Sequence, residues 1–347
     1  MNRKIYMDVL KILACFAVIL QHSVNVTSEI HELWNWHYMF SYTGRFAVPI
    51  FVMVTGALLL DEDKTITVKQ IIMKYIPRVL LPLIGIVYII QVTDMMLTGT
   101  YTWKVIYRPI VSVLTNNVSV PYWYIYMLIG LYLMLPFIKK IISGASKREI
   151  EYFLVLFLGI RTVVPFWEKV LETNLFSKVT NAFMINIVSG YVGFLVLGYY
   201  LNKYINIYRV SWIIWIDIFV VIAPLFYIVY VSQEKYTDGI YFADIFSINM
   251  VVHAVCLFLI AKSLCNYIPN KIHSSVVRVS SMTFYMYLLH VYMLQMFNVI
   301  GIRNYDWGKL DVPIRAILNF IACLVVVYIL EVVRKIKWRE KLWRRTK

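Results

Sequence analysis

Acidic side chains are scarce in this chain, and charged residues of either sign are few for its length. Asp and Glu number 19, and Lys and Arg number 34, so charged residues make up 15% of the 347 residues. A soluble globular protein has about 25%. Hydrophobic residues reach 61%, and the mean hydropathy is +0.70. These values exclude an ordinary soluble domain and indicate an integral membrane protein.

Cysteine is also scarce, and the cysteines follow no functional pattern. Cys15, Cys256 and Cys323 lie within apolar runs, and Cys265 follows one. Their spacing fits neither a metal site nor a disulfide framework.

No small-residue cleavage site follows the first apolar run, so we interpret it as a retained span rather than a signal peptide. Without repeats or a water-soluble domain, we expect residues 1–347 to form one transmembrane domain.

Apolar stretches of about the length of a bilayer-crossing helix, which is about 20 residues, recur along the chain. They lie at roughly 5–23, 44–60, 77–97, 121–138, 151–166, 183–201, 211–231, 242–262, 279–298 and 315–333. The sequence therefore predicts an all-α polytopic membrane protein with about ten transmembrane helices, of which the fourth and fifth are short. Because every connection is short, any active site must be assembled from the helices and their loops.

Lys and Arg are unevenly divided between the two sides of the predicted bundle. Segments on the side of the termini hold 23 of them and the opposite loops hold 8, while Lys11, Arg45 and Arg161 fall within spans. The positive-inside rule then places both termini in the cytoplasm. Since the basic residues lie mainly between apolar runs, the net charge of +15 does not indicate nucleic-acid binding. We interpret the basic, Trp-containing tail as an anchor at the lipid bilayer, with partner or nucleic-acid binding as the alternative.

The first helix carries ionisable residues where lipid tails would disfavour them. His22 follows Lys11 by 11 positions, which is about 20° more than three full helical turns. The two side chains therefore lie on one helical face, roughly 16 Å apart along the axis. Asp8 precedes Lys11 by one turn and can pair with it. This predicts a polar track with Lys11 in the inner half of the bilayer and His22 near the outer surface. The alternatives are a Lys11 that extends to the inner interface and a His22 that caps a loop.

Polar residues of the second helix are predicted to converge on the depth of His22. The segment "GRFAVPIFVMVTGALLL" follows an outer loop, which places Arg45 near the outer surface. We expect Pro49 to interrupt the helix one turn later, as is tolerated where backbone lines a cavity. Thr55 and Gly56 permit close packing against another helix.

Further polar residues fall within later spans. "SSMTFYMYLLHVYML" places His290 near mid-membrane on a Tyr-rich face that includes Tyr287, and His253 lies similarly deep in the eighth span. Taken singly, each histidine is more often an interhelical hydrogen-bonding group than a catalyst. Arg161 fits either a site for a ligand phosphate or an ion pair inside the bundle.

In their order along the chain, these residues resemble the motifs of the acyltransferase-3 family of bacterial membrane acyltransferases. That family opens with Asp-x-x-Arg on the first helix, and ten residues separate the Arg from a His. Asp8, Lys11 and His22 occupy those places. The chain is most similar to small stand-alone members that O-acetylate a surface glycan.

The remaining motifs extend the resemblance through nearly the whole chain. The family pattern Arg-x-x-x-Pro-x-Phe-Phe-x-x-Ser-Gly is matched by Arg45, Pro49, Phe51, Val52, Thr55 and Gly56. Other similar segments are "YIPRVLLPL" with Arg78, "YWYIYMLIGLYLMLPFI" with Trp123, "GYVGFLVLGYYL" with Gly193 and Gly198, and "TFYMYLLH" ending in His290. The departures are Lys11 for Arg, which keeps the charge but loses the planar fork, Val52 for Phe, and Thr55 for Ser.

The resemblance implies a membrane O-acyltransferase in the bacterial cell membrane. It implies cytoplasmic acyl-CoA, acetyl-CoA first, as the donor substrate, no permanently bound cofactor or metal, and a hydroxyl of an extracytoplasmic glycan or lipid-linked sugar as the acceptor. His22 would act as general base, and Arg45 would orient the imidazole, stabilise the oxyanion or contact the donor. Lys11, grouped with these catalytic residues, would also bind coenzyme A together with Arg78. The expected substrate-pocket residues are Asp8, His290, Tyr287 and Trp123.

Two other functions are compatible with the sequence. A transporter or flippase for a lipid-linked glycan or a small solute would also have many helices and intramembrane cations, although we find no sign of two similar halves. A non-catalytic membrane domain that senses a ligand or scaffolds a partner is the second alternative.

Overall fold

A computed structural model describes residues 3–24, 39–100, 103–182, 190–207, 210–226, 244–302 and 307–343. These residues are predominantly helical and include no strand. Six helices in the described part of the chain are long and apolar enough to cross a membrane by length and composition, and two shorter helices are also apolar. The predicted all-α polytopic membrane fold is confirmed.

Each predicted span coincides with a helix in the ranges described above. We label these helices α1 (Ile5–His22), α2 (Ala47–Leu59), α3 (Val68–Thr98), α4 (Val120–Gly144), α5 (Lys147–Val170), α6 (Val192–Tyr204), α7 (Ser211–Phe226), α8 (Ile248–Leu264), α9 (Asn270–Val299) and α10 (Asp311–Trp343). Short helices at Arg108–Leu114 and Leu175–Ala182 lie in the connections. Parts of the sixth, seventh and eighth predicted spans, at 183–189, 227–231 and 242–243, and the end of the basic tail, at 344–347, lie outside the described residues.

The prediction that the fourth and fifth helices are short was wrong, since α4 has 25 residues and α5 has 24. Near the end of α4, the Lys139 ammonium donates to the Leu60 carbonyl at 2.9 Å and to the Asp61 carbonyl. A charge that ends the apolar pattern is thereby stabilised by the C-terminal end of α2. At the start of α5, Ser146 and Glu149 form a capping box by bonding to each other's backbone N–H.

Pro49 does not interrupt α2, contrary to the prediction. A helical segment at 39–43 ends in a turn at 44–46, and α2 begins at Ala47, so Pro49 lies in its first turn. Proline is tolerated there because the first N–H groups of a helix have no intrahelical partner. The break therefore precedes the proline and places Arg45 in the turn.

The backbones of α2 and α6 touch at two glycines. A β-carbon on Gly56 would lie 1.8 Å from the Leu195 carbonyl oxygen, and one on Gly198 would lie 1.9 Å from the Met53 carbonyl oxygen. No other residue fits at either position without moving the backbone. The close packing predicted at Thr55 and Gly56 is confirmed, as expected for small residues at a membrane helix interface.

The first helix lies inside the bundle. It packs against α2, α8, α9 and α10, and Leu10, Ala14, Cys15 and Ile19 are fully buried. A helix with neighbours on several sides can direct polar side chains toward protein rather than toward lipid. The ionisable residues of α1 therefore face the interior of the protein.

Candidate active site

A cavity of about 630 Å³ lies between α1 and its neighbours, at the end of the bundle where α1 begins. We call it the basic cavity because six cationic side chains and two carboxylates line it. The cations are Arg3, Lys4, Lys11, Lys64, Lys74 and Arg78, and the carboxylates are Asp8 and Asp61. Such an excess of cations favours a ligand that carries several negative charges.

Asp8 is the buried centre of the hydrogen bonds in this cavity. The Arg3 guanidinium donates to both Asp8 oxygens at 2.8 Å, and the Ser280 hydroxyl donates at 2.6 Å. The hydrogen bonds to Asp8 and the charge of that carboxylate raise the pKa of Arg3. The Lys11 ammonium lies 3.9 Å from the Asp8 carboxylate, so the pairing predicted from the sequence is the longest of these contacts. Lys11 therefore keeps most of its hydrogen-bonding capacity for a ligand in the basic cavity.

A second, smaller cavity of about 50 Å³ lies at the opposite end of α1. We call it the histidine chamber, since His22 lines it together with Arg45 from the turn before α2 and Trp123 from α4. The Nε atom of Arg45 is buried and has no hydrogen-bond partner in the parts of the chain that the structure describes. The chamber thus combines an imidazole with a guanidinium N–H that can still donate.

Three aromatic side chains separate the two cavities. Phe51, Tyr124 and Tyr287 line both of them, and we call this group the aromatic partition. The rings of Phe51 and Tyr124 are 5.8 Å apart between centroids, and those of Tyr124 and Tyr287 are 5.7 Å apart. The Tyr287 hydroxyl donates to the Pro121 carbonyl, which fixes the ring. Lys11 and His22, predicted to border one track, therefore lie on opposite sides of this partition.

His290 lies behind His22 and lines neither cavity. His290 is fully buried. Its ring centroid lies 5.5 Å from the ring centroid of His22 and 5.6 Å from the ring centroid of Tyr287. The other predicted pocket residues do line a cavity, Asp8 the basic cavity, Trp123 the histidine chamber and Tyr287 both. The contact of His290 with the site is thus made through His22 and Tyr287.

Two polar residues noted in the sequence lie away from both cavities. The Arg161 guanidinium stacks 4.2 Å from the Phe246 ring centroid, within a π-helical turn of α5. His253 Nδ1 lies 2.6 Å from an Asp217 carboxylate oxygen, which joins α8 to α7. Among the described residues these are contacts between protein groups, so neither residue enters the site.

Comparison with known protein families matches residues 4–332 to the family Acyl_transf_3, described as an acyltransferase domain. This chain belongs to the acyltransferase-3 family. The match covers every residue that lines the histidine chamber and every residue that lines the basic cavity except Arg3. No curated protein and no solved structure matches the chain. Together with its fold, the match makes the protein an integral-membrane acyltransferase.

Several residues that line the two cavities were missed from the sequence. Arg3, Lys64 and Lys74 were not named as site residues, although Lys74 and Arg78 are one helical turn apart and could have been assigned to one face. Phe51 and Tyr124 lie in segments that were noted as motifs. Nothing in their spacing indicates that α2, α4 and α9 bring them together as a partition.

The arrangement has the groups that acyl transfer requires. An imidazole can accept a proton from an alcohol, and a buried guanidinium can stabilise the negative oxygen of a tetrahedral intermediate. The basic cavity can hold an anionic carrier on the other side of the aromatic partition. The carrier and the acceptor can therefore be bound at opposite ends of one site.

Proposed function

We propose that this acyltransferase transfers an acetyl group from cytoplasmic acetyl-CoA to a hydroxyl of an extracytoplasmic glycan or lipid-linked sugar. The membrane would be the bacterial cell membrane, with both termini in the cytoplasm. The observation that carries the proposal is the pair of cavities that share one aromatic wall, with cations on one side and His22 with Arg45 on the other.

The basic cavity suits coenzyme A because the phosphate groups of that molecule carry several negative charges at neutral pH. Lys11 and Arg78 would bind these phosphates through charge-assisted hydrogen bonds, and the further cations of the cavity would add to the attraction. The cavity volume of about 630 Å³ is in the range of pockets that bind small molecules. Coenzyme A is a substrate here and leaves after each turnover.

The thioester must pass the aromatic partition to reach His22. The narrow pantetheine arm would extend from the basic cavity between Phe51, Tyr124 and Tyr287, so that the acyl carbonyl enters the histidine chamber. This passage would require the aromatic side chains to move apart, since the two cavities are separate in the structure and these residues line both.

The chemistry would take place in the histidine chamber. His22 accepts the proton of the acceptor hydroxyl while the oxygen attacks the thioester carbonyl carbon. The carbonyl oxygen becomes negative and is stabilised by Arg45. The intermediate then collapses as the carbon–sulfur bond breaks, and His22 returns the proton to the thiolate of coenzyme A. An ester and free coenzyme A result.

The proposal can be tested in membrane vesicles that contain the full chain. Radiolabelled acetyl-CoA is supplied to the cytoplasmic face, and base-labile label is counted in the glycan and lipid-linked sugar fractions. We expect His22→Ala to lose about 100-fold or more of the transfer, which is the usual contribution of a general base. The control His273→Ala, which changes a histidine of α9 outside both cavities, should retain it.

Two results would contradict the proposal. Full transfer by the His22→Ala variant would exclude His22 as the base. A wild-type protein that moves a labelled glycan across the membrane without forming a labelled ester would favour the transporter alternative, because transport leaves no covalent product.

A further inference from the structure

His290 is held in one protonation form by its own helix. Its Nδ1 atom bonds to the backbone carbonyl of Tyr287. A carbonyl oxygen only accepts hydrogen bonds, so Nδ1 must carry the proton, and a neutral ring then has its lone pair on Nε2. That Nε2 atom is buried and has no partner among the described residues. His290 therefore presents an unused acceptor inside the bundle.

The backbone around His290 is fixed from two other helices. The Tyr122 hydroxyl of α4 donates to the Leu288 carbonyl at 2.8 Å, and the Asn319 amide of α10 donates to the His290 carbonyl at 3.1 Å. Both donor residues are fully buried. Carbonyl groups inside a helix already accept intrahelical bonds, so these additional donors restrain the position of the segment and the direction of its imidazole.

The His22 ring is one of two rings that contact the imidazole of His290, the other being that of Tyr287. The centroids of the His22 and His290 rings are 5.5 Å apart, and the planes are tilted by 40°. A hydrogen bond of about 3 Å between facing ring nitrogens corresponds to centroids on the order of 5 Å apart. A small rotation of the rings is therefore enough to join them.

We infer that His290 is a positioning residue whose Nε2 accepts a hydrogen bond from the ring N–H of His22 that faces away from the histidine chamber. The inference rests on the proposed function, in which His22 is the base. The bond would select the tautomer of His22 whose lone pair points into the chamber. A buried carboxylate performs this task in many hydrolases, and here a neutral imidazole would perform it.

The proton balance of the transfer is unchanged by this partner. When His22 takes the proton of the acceptor hydroxyl, it becomes an imidazolium with two N–H groups. One faces the reacting atoms and later supplies the proton to the departing thiolate. The other stays bonded to His290, which gains and loses no proton. His290 would thereby stabilise the charge that His22 carries during the reaction.

The inference is tested with two variants of nearly equal length and volume. His290→Gln keeps an acceptor oxygen near the position of Nε2, and His290→Met has none. We expect His290→Met to lower kcat by about 10- to 100-fold with the KM for acetyl-CoA unchanged, as is typical when the partner of a functional side chain is removed. His290→Gln should stay within about threefold of the wild type.

A packing role predicts the opposite order, because an apolar Met suits a buried site better than an amide. Equal activity of the two variants, or a change confined to KM, would overturn the inference while wild-type transfer still supports the proposed function. If the wild type itself forms no labelled ester, it is the proposed function that fails.

A second measurement does not depend on how the variants fold. Wild-type protein with ¹⁵N-labelled histidine, in nanodiscs, is expected to show a coupling through a hydrogen bond between one nitrogen of His22 and one of His290. Absence of that coupling would overturn the inference.

Discussion

At the scale of single residues, the charge of Lys11 is available to a ligand because the nearest carboxylate is already satisfied. Arg3 and Ser280 bond to Asp8 at 2.6–2.8 Å, whereas Lys11 stays at 3.9 Å. The Lys11 ammonium lines the basic cavity and is partly exposed there. Its loss should therefore affect the binding of an anionic donor more than the stability of the fold.

We expect Lys11→Met to raise the KM for acetyl-CoA about tenfold or more with little change in kcat, because a charge-assisted contact with a phosphate is lost. Lys11→Arg, which keeps the positive charge, should remain near the wild type. Steady-state kinetics of purified protein measure both, with Lys69→Met, outside both cavities, as the control. An unchanged KM in Lys11→Met would contradict a donor-binding role.

The aromatic partition should also determine which acyl groups are transferred. A chamber of about 50 Å³ has room for only a few atoms, since a cavity needs about 10–15 Å³ to hold one water molecule. We expect the wild type to prefer acetyl-CoA and Phe51→Ala to raise the kcat/KM ratio of butyryl- to acetyl-CoA about tenfold.

Phe284→Ala is the matched control for this change. Phe284 lines the basic cavity but not the histidine chamber, so its removal should leave the chain-length preference unchanged. An identical preference in the Phe51→Ala variant and the wild type would show that the partition does not select the acyl group.

The sequence predicted the central ionisable residues of the candidate site better than the other residues that line its cavities. The helical spacing of Lys11 and His22 indicated one face, and the two residues do line cavities at the two ends of α1. Arg3 and Phe51 were missed because their contacts depend on how helices distant in sequence are rotated against each other. A motif fixes which residues occur, and it leaves that rotation undetermined.

At the scale of secondary-structure elements, the contact of α2 with α6 sets the position of the helix that carries Phe51 and follows Arg45. A methyl group on Gly198 would overlap the Met53 carbonyl oxygen at 1.9 Å. We expect Gly198→Ala to destabilise the protein by about 1–3 kcal/mol or more, because the two backbones must separate. Thermal unfolding in detergent measures the effect.

Gly130→Ala provides the comparison for this glycine. Gly130 lies in α4 with no heavy atom within 4 Å of the position of a β-carbon. Its replacement should leave the unfolding temperature unchanged or slightly raised, since alanine is the better helix former. Similar losses in both variants would mean that the helix contact is not the cause.

Helix ends were the elements least accessible from the sequence. Hydropathy alone stopped α4 before Lys139, yet the helix continues to Gly144, and carbonyl groups at the end of α2 accept from the Lys139 ammonium. Pro49 was expected to break a helix and instead lies in a first turn. The charge of Lys139 is stabilised by another segment of the chain, and Pro49 is tolerated because its helix begins only two residues earlier. Hydropathy indicates neither.

At the scale of the whole molecule, the proposed mechanism requires the basic cavity to open toward the cytoplasm. Thr65, between α2 and α3, and Asn117, before α4, are exposed and lie in connections assigned to opposite sides. We expect a membrane-impermeant thiol reagent to label Asn117→Cys from outside intact cells, and Thr65→Cys only after the membrane is opened. The native cysteines are buried and should react slowly.

Labelling of both cysteines from the same side would contradict the alternation of the loops. Labelling in the reverse order would place the basic cavity outside, where cytoplasmic acetyl-CoA cannot reach it. Either result would show that the distribution of Lys and Arg does not predict the orientation of this chain in the membrane.

The aromatic partition has a consequence for the cell as well as for the reaction. Two water-accessible hollows that met inside the bilayer would let protons and small ions leak down their gradients and dissipate the energy that the membrane stores. Phe51, Tyr124 and Tyr287 occupy the place where the hollows would join. In the proposed mechanism the resting protein would keep the membrane sealed, and the substrate arm that displaces these rings would fill the opening that it makes.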